Sequence, residues 1–265
     1  MTDNAVGAAA SAAEDKLSVN LPYVLLYTIL QGPCVWHTSW ALAGNSQTTD
    51  VFRAKFGWND DDTLFYNTII SSAGIVGLMI GSFLGGWLMK AGRRRAAMIA
   101  QTLAIVSSLV TMAGTVAFLT IGRVLLGIAA GSMNVILAKL ITENMPERYA
   151  AMLSIFVNAS IATGLIPCYL LGAVLPDPDD FQANFDDELW RVIFLTPAVV
   201  AALELCFMFT LFRYEPINFC IVNNLDDQAI LHMKKVYRLA DAALSPRSGD
   251  ISASIDEILS AQCKL

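Results

Sequence analysis

Charge is scarce in this chain. Asp, Glu, Lys and Arg make up 15% of its 265 residues, against about a quarter of an ordinary soluble domain. No excess of base is present either: the formal net charge is −6, which argues against a nucleic-acid partner. The five cysteines are odd in number and show no CxxC spacing. Cys34, Cys168 and Cys206 fall in apolar stretches, Cys220 and Cys263 in the tail, so neither a zinc site nor a disulfide framework is implied. His37 and His232 are the only histidines. No metal and no cofactor is expected. Residues 1–19 are rich in Ala, Ser and acids and lack the cationic start and apolar centre of a signal peptide.

Long apolar runs are what the chain has in quantity. Hydrophobic residues reach 55% and the mean hydropathy is +0.55. Six stretches stand out: Leu21–Gly44, Leu64–Met89, Ala96–Ala117, Leu119–Ile141, Ala151–Leu175 and Trp190–Phe212. Each has about the 20 residues that a bilayer-crossing helix needs. Gly77, Gly81 and Gly85 recur at intervals of four in the second stretch. On a helix they lay a shallow groove along one face, where another helix backbone can approach closely. That stretch runs into Lys90, Arg93, Arg94 and Arg95 with no acid among them. A buried helix of a soluble protein followed by a basic turn would look alike at this one place, but the rest of the chain repeats the pattern.

With the N-terminus placed in the cytoplasm, every lysine and arginine except Arg53, Lys55, Arg123 and Arg191 falls on the cytoplasmic side. The positive-inside rule therefore sets both termini in the cytoplasm. The acid-rich segment 177–188 then becomes an outside loop. The expected fold class is an all-α membrane protein: a cytoplasmic tail over 1–20, a six-span bundle over 21–212 and a cytoplasmic helical region over 213–265. In that last region Asn224 or Asp226 caps one amphipathic helix and Asp250 a second.

Several junctions match a known pattern. Gly85-Gly86-Trp87-Leu88-Met89-Lys90-Ala91-Gly92-Arg93-Arg94 resembles the loop between spans two and three of the major facilitator superfamily, with Met89 where that pattern has Asp. Gly122-Arg123 with Gly127 and Gly131 resembles the start of span four in its sugar-porter branch. Glu143-Asn144-Met145-Pro146 resembles the end of that span, although Ala138 and Leu140 replace the family's Pro and Tyr. Trp190-Arg191 is similar to the opening of span six, and Arg213-Tyr214-Glu215-Pro216-Ile217-Asn218-Phe219 to the stretch that closes it. The resemblance runs from about Leu21 to the C-terminus and implies the N-terminal six-helix half of the fold.

The resemblance also implies site residues. Asn158 stands where the family has a Gln that binds sugar hydroxyls, and an amide offers donors and an acceptor to vicinal hydroxyls. Ile161, Ala162 and Leu165 share its helical face and would line the apolar side of the cavity. A bond from Asn158 to a neighbouring helix is the competing reading. In proton-coupled members the Arg at position 123 pairs with an Asp on span one. Span one here holds no acid, which favours passive transport over symport. Glu204 on span six is a candidate partner for Arg123, and a packing anchor held by carbonyls is the other reading of that arginine. Gly85, Lys90, Gly92, Arg93, Arg94, Glu143, Arg148 and Glu215 match the family's cytoplasmic gate, where ionic bridges hold one conformation and break in the other. His37 is expected to line the cavity or pack.

Six-span serine proteases raise an enzymatic alternative, since Gly131-Ser132 has the flanking glycine. Span six lacks a histidine, and without a base Ser132 is an inert hydroxyl; no enzyme activity is expected. The resemblance implies transport of a hexose-like solute, with the lipid bilayer and a second six-span half or a homodimer as partners. Three accounts remain open: a fragment of a sugar porter, a half-transporter that pairs, or a membrane scaffold subunit without transport.

Overall fold

The computed structural model describes residues 20–144, 147–223, 225, 228, 231–232 and 235–236, and among them there is no strand. The helices are α1 (Leu21–Gln31), α2 (Trp36–Ala43), α3 (Thr49–Phe56), α4 (Asp60–Leu88), α5 (Arg93–Thr111), α6 (Val116–Asn144), α7 (Glu147–Gly172), α8 (Phe181–Asp186), α9 (Trp190–Thr210) and α10 (Ile217–Val222). Four segments are long and apolar enough to cross a membrane: Asp60–Ala91, Val116–Asn144, Ile155–Gly172 and Trp190–Thr210. The first and third of the six expected spans differ for separate reasons. Span one is broken into α1 and α2 by a 3-10 turn, Gly32–Val35. Pro33 lacks an N–H and crowds the preceding turn, so a straight helix cannot run through it. Span three is α5, whose arginines and buried serines and threonines make it less apolar than the other four.

Two short helices were not legible as apolar runs. α3 ends at Gly57, whose φ of 64° is the left-handed conformation that glycine adopts without strain. α8 starts at Asp180, whose carboxylate accepts from the Ala183 N–H at 3.0 Å. α4 likewise starts earlier than its apolar run, because Asn59 caps it through the Asp62 N–H and three acids fill its first turn.

α6 is the central rod. Its Leu119, Leu126, Ala129, Met133, Ile136, Leu137, Leu140 and Ile141 are all buried. They join three stacked clusters. The one at the end that carries Arg93–Arg95 includes Val24, Tyr27, Ala96, Met133, Ile136 and Met208; the middle one Trp40, Ala104, Leu126 and Ile193. At the opposite end, Val51 and Phe52 of α3 pack on Leu119, Trp190 and Phe194. Phe52 meets the Trp190 ring edge-on at 5.4 Å. Around this core the outward side chains are apolar: Phe83 and Trp87 of α4 are 79% and 66% exposed. A shell of that kind is stable against lipid, not water.

The glycine groove is filled by backbone. A Cβ at Gly77 or Gly81 would land on the carbonyl oxygens of Val124 and Ile128, and one at Gly127 or Gly131 on those of Gly74 and Leu78. α4 and α6 thus touch main chain to main chain along four turns, the close contact that small residues permit in a bilayer. Ser132 donates its hydroxyl to the Gly81 carbonyl at 2.9 Å, so the candidate nucleophile of the rejected protease reading is a buried strut of this seam. Gly86, the residue after Gly85 and turned off the groove's face, meets nothing within 4 Å. Replacing Gly81 with Leu is therefore expected to cost about 3 kcal/mol or more and to abolish a monodisperse detergent peak. Gly86→Leu should leave the peak and the thermal midpoint unchanged.

Candidate functional site

Arg123 enters from the first third of α6 and is 1% exposed. Its guanidinium donates to the carbonyls of Trp40 at 2.8 Å and Ala41 at 2.6 Å. Both belong to the last turn of α2, whose carbonyls carry the negative end of the helix dipole. Gly44 and Gly74 make room for these carbonyls: a Cβ would lie 2.8 Å from the Trp40 oxygen at the first and 2.9 Å from the Ala41 oxygen at the second. The side chain is an anchor on carbonyls, the second of the two readings above. It does not pair with Glu204. That carboxyl is also 1% exposed, and its Oε2 has no hydrogen-bond partner among the described residues. The pairing of the two charges fails because the break in span one lets the end of α2 bring its carbonyls to Arg123.

The face carrying the candidate solute contacts is on α7. Asn158 and Ala162 are exposed, and Ile161 and Leu165 are half-buried. α7 leans on span one through Gly164, where a Cβ would meet Ser39 Oγ at 2.7 Å and the Trp36 ring at 2.8 Å. Ser39 donates to the Ile161 carbonyl, and Thr38 donates to Asn134 Oδ1 of α6 at 3.0 Å. Arg123 lies with α2 and α6, away from the Asn158 face. His37 is fully buried with its Nε2 2.7 Å from Gln101 Oε1 of α5, so it packs rather than lines an open face. Asn134 and Gln101 were passed over in the sequence. Each is a lone amide within an apolar run, which is the signal that could have found it.

At the end of the bundle that carries Arg93–Arg95, several of the residues expected to form a gate lie together. Arg93 grips Glu143 with two hydrogen bonds, Nε to Oε2 at 2.8 Å and a terminal nitrogen to Oε1 at 3.0 Å. This bidentate pair ties α5 to the end of α6, and the Arg93 guanidinium also lies 4.8 Å from the centre of the Phe219 ring. Arg94 donates to the carbonyls of Phe212 and Met208 at 2.8 and 2.9 Å, closing the C-terminal end of α9. In return, the Glu215 carboxylate accepts the Arg94 and Arg95 backbone N–H groups at 2.8 and 3.3 Å, capping α5. Gly92 is required there. Its φ is 125°, and a Cβ would stand 2.7 Å from a Glu215 oxygen. Met89 packs against the apolar cluster that holds Val24 and Tyr27, so the position of the family's Asp is held by a contact, not a charge. Gly85 lies in the seam against Ser132. Lys90 is exposed, and the Arg148 side chain lies outside the described residues.

Of the expected cytoplasmic helices, α10 and a few residues beyond it are described; the second, from Asp250, lies outside them, as does most of the first. His232 Nδ1 sits 3.1 Å from the Glu215 carbonyl, and the Asn20 N–H donates to the Val236 carbonyl at 2.8 Å. Burial lowers the His232 pKa to about 4, with the neighbouring Lys235 adding to the effect and the bond to Glu215 opposing it. The ring is neutral at pH 7, and Glu215 joins the gate to this segment. Removing the gate's carboxylate by Glu143→Gln should cost about 2 kcal/mol, as loss of a charge-assisted pair does. Lys90→Gln should leave the midpoint of thermal unfolding in detergent within the error of the measurement.

The architecture has known counterparts. The proton:xylose symporter XylE bound to 6-bromo-6-deoxy-D-glucose superposes with a TM-score of 0.69 at 20% identity, covering 82% of this chain and 50% of that one. The inward-open xylose transporter XylE from E. coli gives 0.69 at 18% identity, over 90% and 56%. At that identity the likeness is one of fold. In sequence, the chain is 25% identical over 198 residues to a Hexose transporter 1 of Toxoplasma gondii, 69% of this chain and 35% of that protein. A Glucose transporter GlcP of Staphylococcus epidermidis is 27% identical over 143 residues, 53% of this chain and 30% of that one. A Probable inositol transporter 3 of Arabidopsis thaliana is 28% identical over 162 residues, 60% and 26%. The chain spans roughly a third of the length of these relatives. The family model described as Sugar (and other) transporter matches residues 24–244, and the chain, an all-α membrane protein with the fold of a major facilitator half, belongs to that family.

Proposed function

We propose that this chain supplies one six-helix half of a carrier that moves a hexose-like solute across a bilayer by facilitated diffusion. The relatives named for hexose, glucose and inositol point to a small polyhydroxyl solute. Asn158, with Ile161, Ala162 and Leu165 beside it, forms this half's side of the solute path. The path lies between this half and a second six-span half, supplied by further sequence, a partner chain or a second copy. Arg93–Glu143 and the Arg94–Glu215 brace hold the cytoplasmic end shut in one state and separate in the other. Both termini face the cytoplasm.

The observation that carries the uncoupled part of this reading is the anchoring of Arg123. Its charge is met by the Trp40 and Ala41 carbonyls, so no carboxylate sits on it to take up and release a proton. Purified chain in liposomes, alone and with its second half, is expected to equilibrate labelled hexose at a rate unchanged by an inward proton gradient. Asn158→Ala should slow that uptake by about tenfold, as loss of a buried hydrogen bond to a solute does. Acceleration by the gradient that Glu204→Gln abolishes would contradict passive transport. No uptake in either preparation would contradict transport itself and favour a scaffold subunit.

A further inference from the structure

At the outer end of the bundle, a pocket of about 330 Å³ opens between the turn after α2, the start of α3 and the loop joining α7 to α8. That volume falls at the small end of the range for ligand sites. Gln47, Asp50, Asp177 and Asn184 bring polar groups to its wall, and Val51 and Pro176 bring apolar surface.

Asn184 is 2% exposed. Its Nδ2 donates to the Asp177 carbonyl at 2.8 Å and the Asp180 carbonyl at 2.9 Å. Those two donations fix which way the amide points, and they leave Oδ1 buried with no partner among the described residues. Buried acceptors of this kind are rare in folded proteins and call for a donor. Gln47 uses its Nε2 on Ser46 Oγ, so its oxygen is the end left over. The ion pairs at this end of the molecule join Arg53 to Asp60, and Lys55 and Arg191 to Glu188; Asp50 and Asp177 belong to none of them.

The wall is therefore a set of acceptors without a cationic side chain, and an occupant has to bring the donors. A metal ion fits poorly. Among the described residues no group of three or more His, Cys, Asp or Glu is placed to hold one, and a bare ion has no use for the Val51 and Pro176 surface. A sugar-like ring matches both features: its hydroxyls donate to the carboxylates and amide oxygens, and its C–H face lies on the apolar wall.

We propose that this pocket is an outer docking site for a small polyhydroxyl solute, separate from the Asn158 face and occupied before the solute reaches the interior. The solute class rests on the function proposed above. The test uses the full chain in lipid vesicles with Ala173, a residue on the pocket wall, changed to cysteine. Its labelling by a membrane-impermeant maleimide, corrected for the parent chain, is expected to slow severalfold in millimolar D-glucose. Sodium or calcium chloride at equal osmolality should give no protection. Asp50→Asn combined with Asp177→Asn, in protein that still elutes as a single peak, should remove the protection. Labelling unaffected by glucose, protection that survives the double change, or protection by calcium alone would overturn the proposal. Protection without uptake would contradict only the carrier reading, and uptake without protection only this one.

Discussion

An arginine held at bilayer depth without an acid is the constraint on which the arrangement of α2, α4 and α6 depends. At a helix centre such a residue costs about 2.5–3.5 kcal/mol on insertion scales, so its charge has to be met inside the protein. Here the solution is main-chain: the last turn of α2 turns its Trp40 and Ala41 carbonyls towards Arg123. For that to happen, α2 has to end next to α6. The break at Gly32–Val35 makes α2 a short separate helix, and Gly44 and Gly74 leave space for the two accepting carbonyl oxygens. One charge thus fixes three elements relative to one another.

The opposite half, around Arg93–Arg95, is organised by the same principle applied to helix ends. α5 begins at a glycine with positive φ and no capping side chain of its own. Glu215 supplies the cap from beyond α9, while Arg94 closes α9 from α5. Each helix end is satisfied by the other's neighbour, so neither can separate without exposing backbone groups. Between the two halves, the seam of α4 and α6 brings backbones together over several turns. It acts as the rigid spine against which the outer anchor and the inner brace are both set.

Much of this was legible in the sequence, and the failures are instructive. The glycine spacing over Gly77, Gly81 and Gly85 announced the seam because helical periodicity is local information. The family resemblance put Arg93 and Glu143 in one group of charges at two helix ends, without saying which base meets which acid. The break in span one was written in Gly32-Pro33, but the apolarity of Leu21–Gly44 masked it. α3 and α8 were missed because six to eight residues of mixed polarity carry no periodic signal; only their caps mark them. Glu215 as the cap of α5 acts over 121 positions, a distance that no spacing rule covers. For the same reason, Arg123 and Glu204 were joined as the two intramembrane charges, although the fold meets Arg123 with carbonyls instead.

The central claim is that Arg123 is neutralised by carbonyls and owes nothing to Glu204. A double-mutant cycle over Arg123→Gln and Glu204→Gln, read from reversible unfolding in detergent, tests it most directly. Independent sites add to within about 0.5 kcal/mol, and additivity of that order is the predicted result. A coupling energy of about 1 kcal/mol or more between the two positions would contradict it.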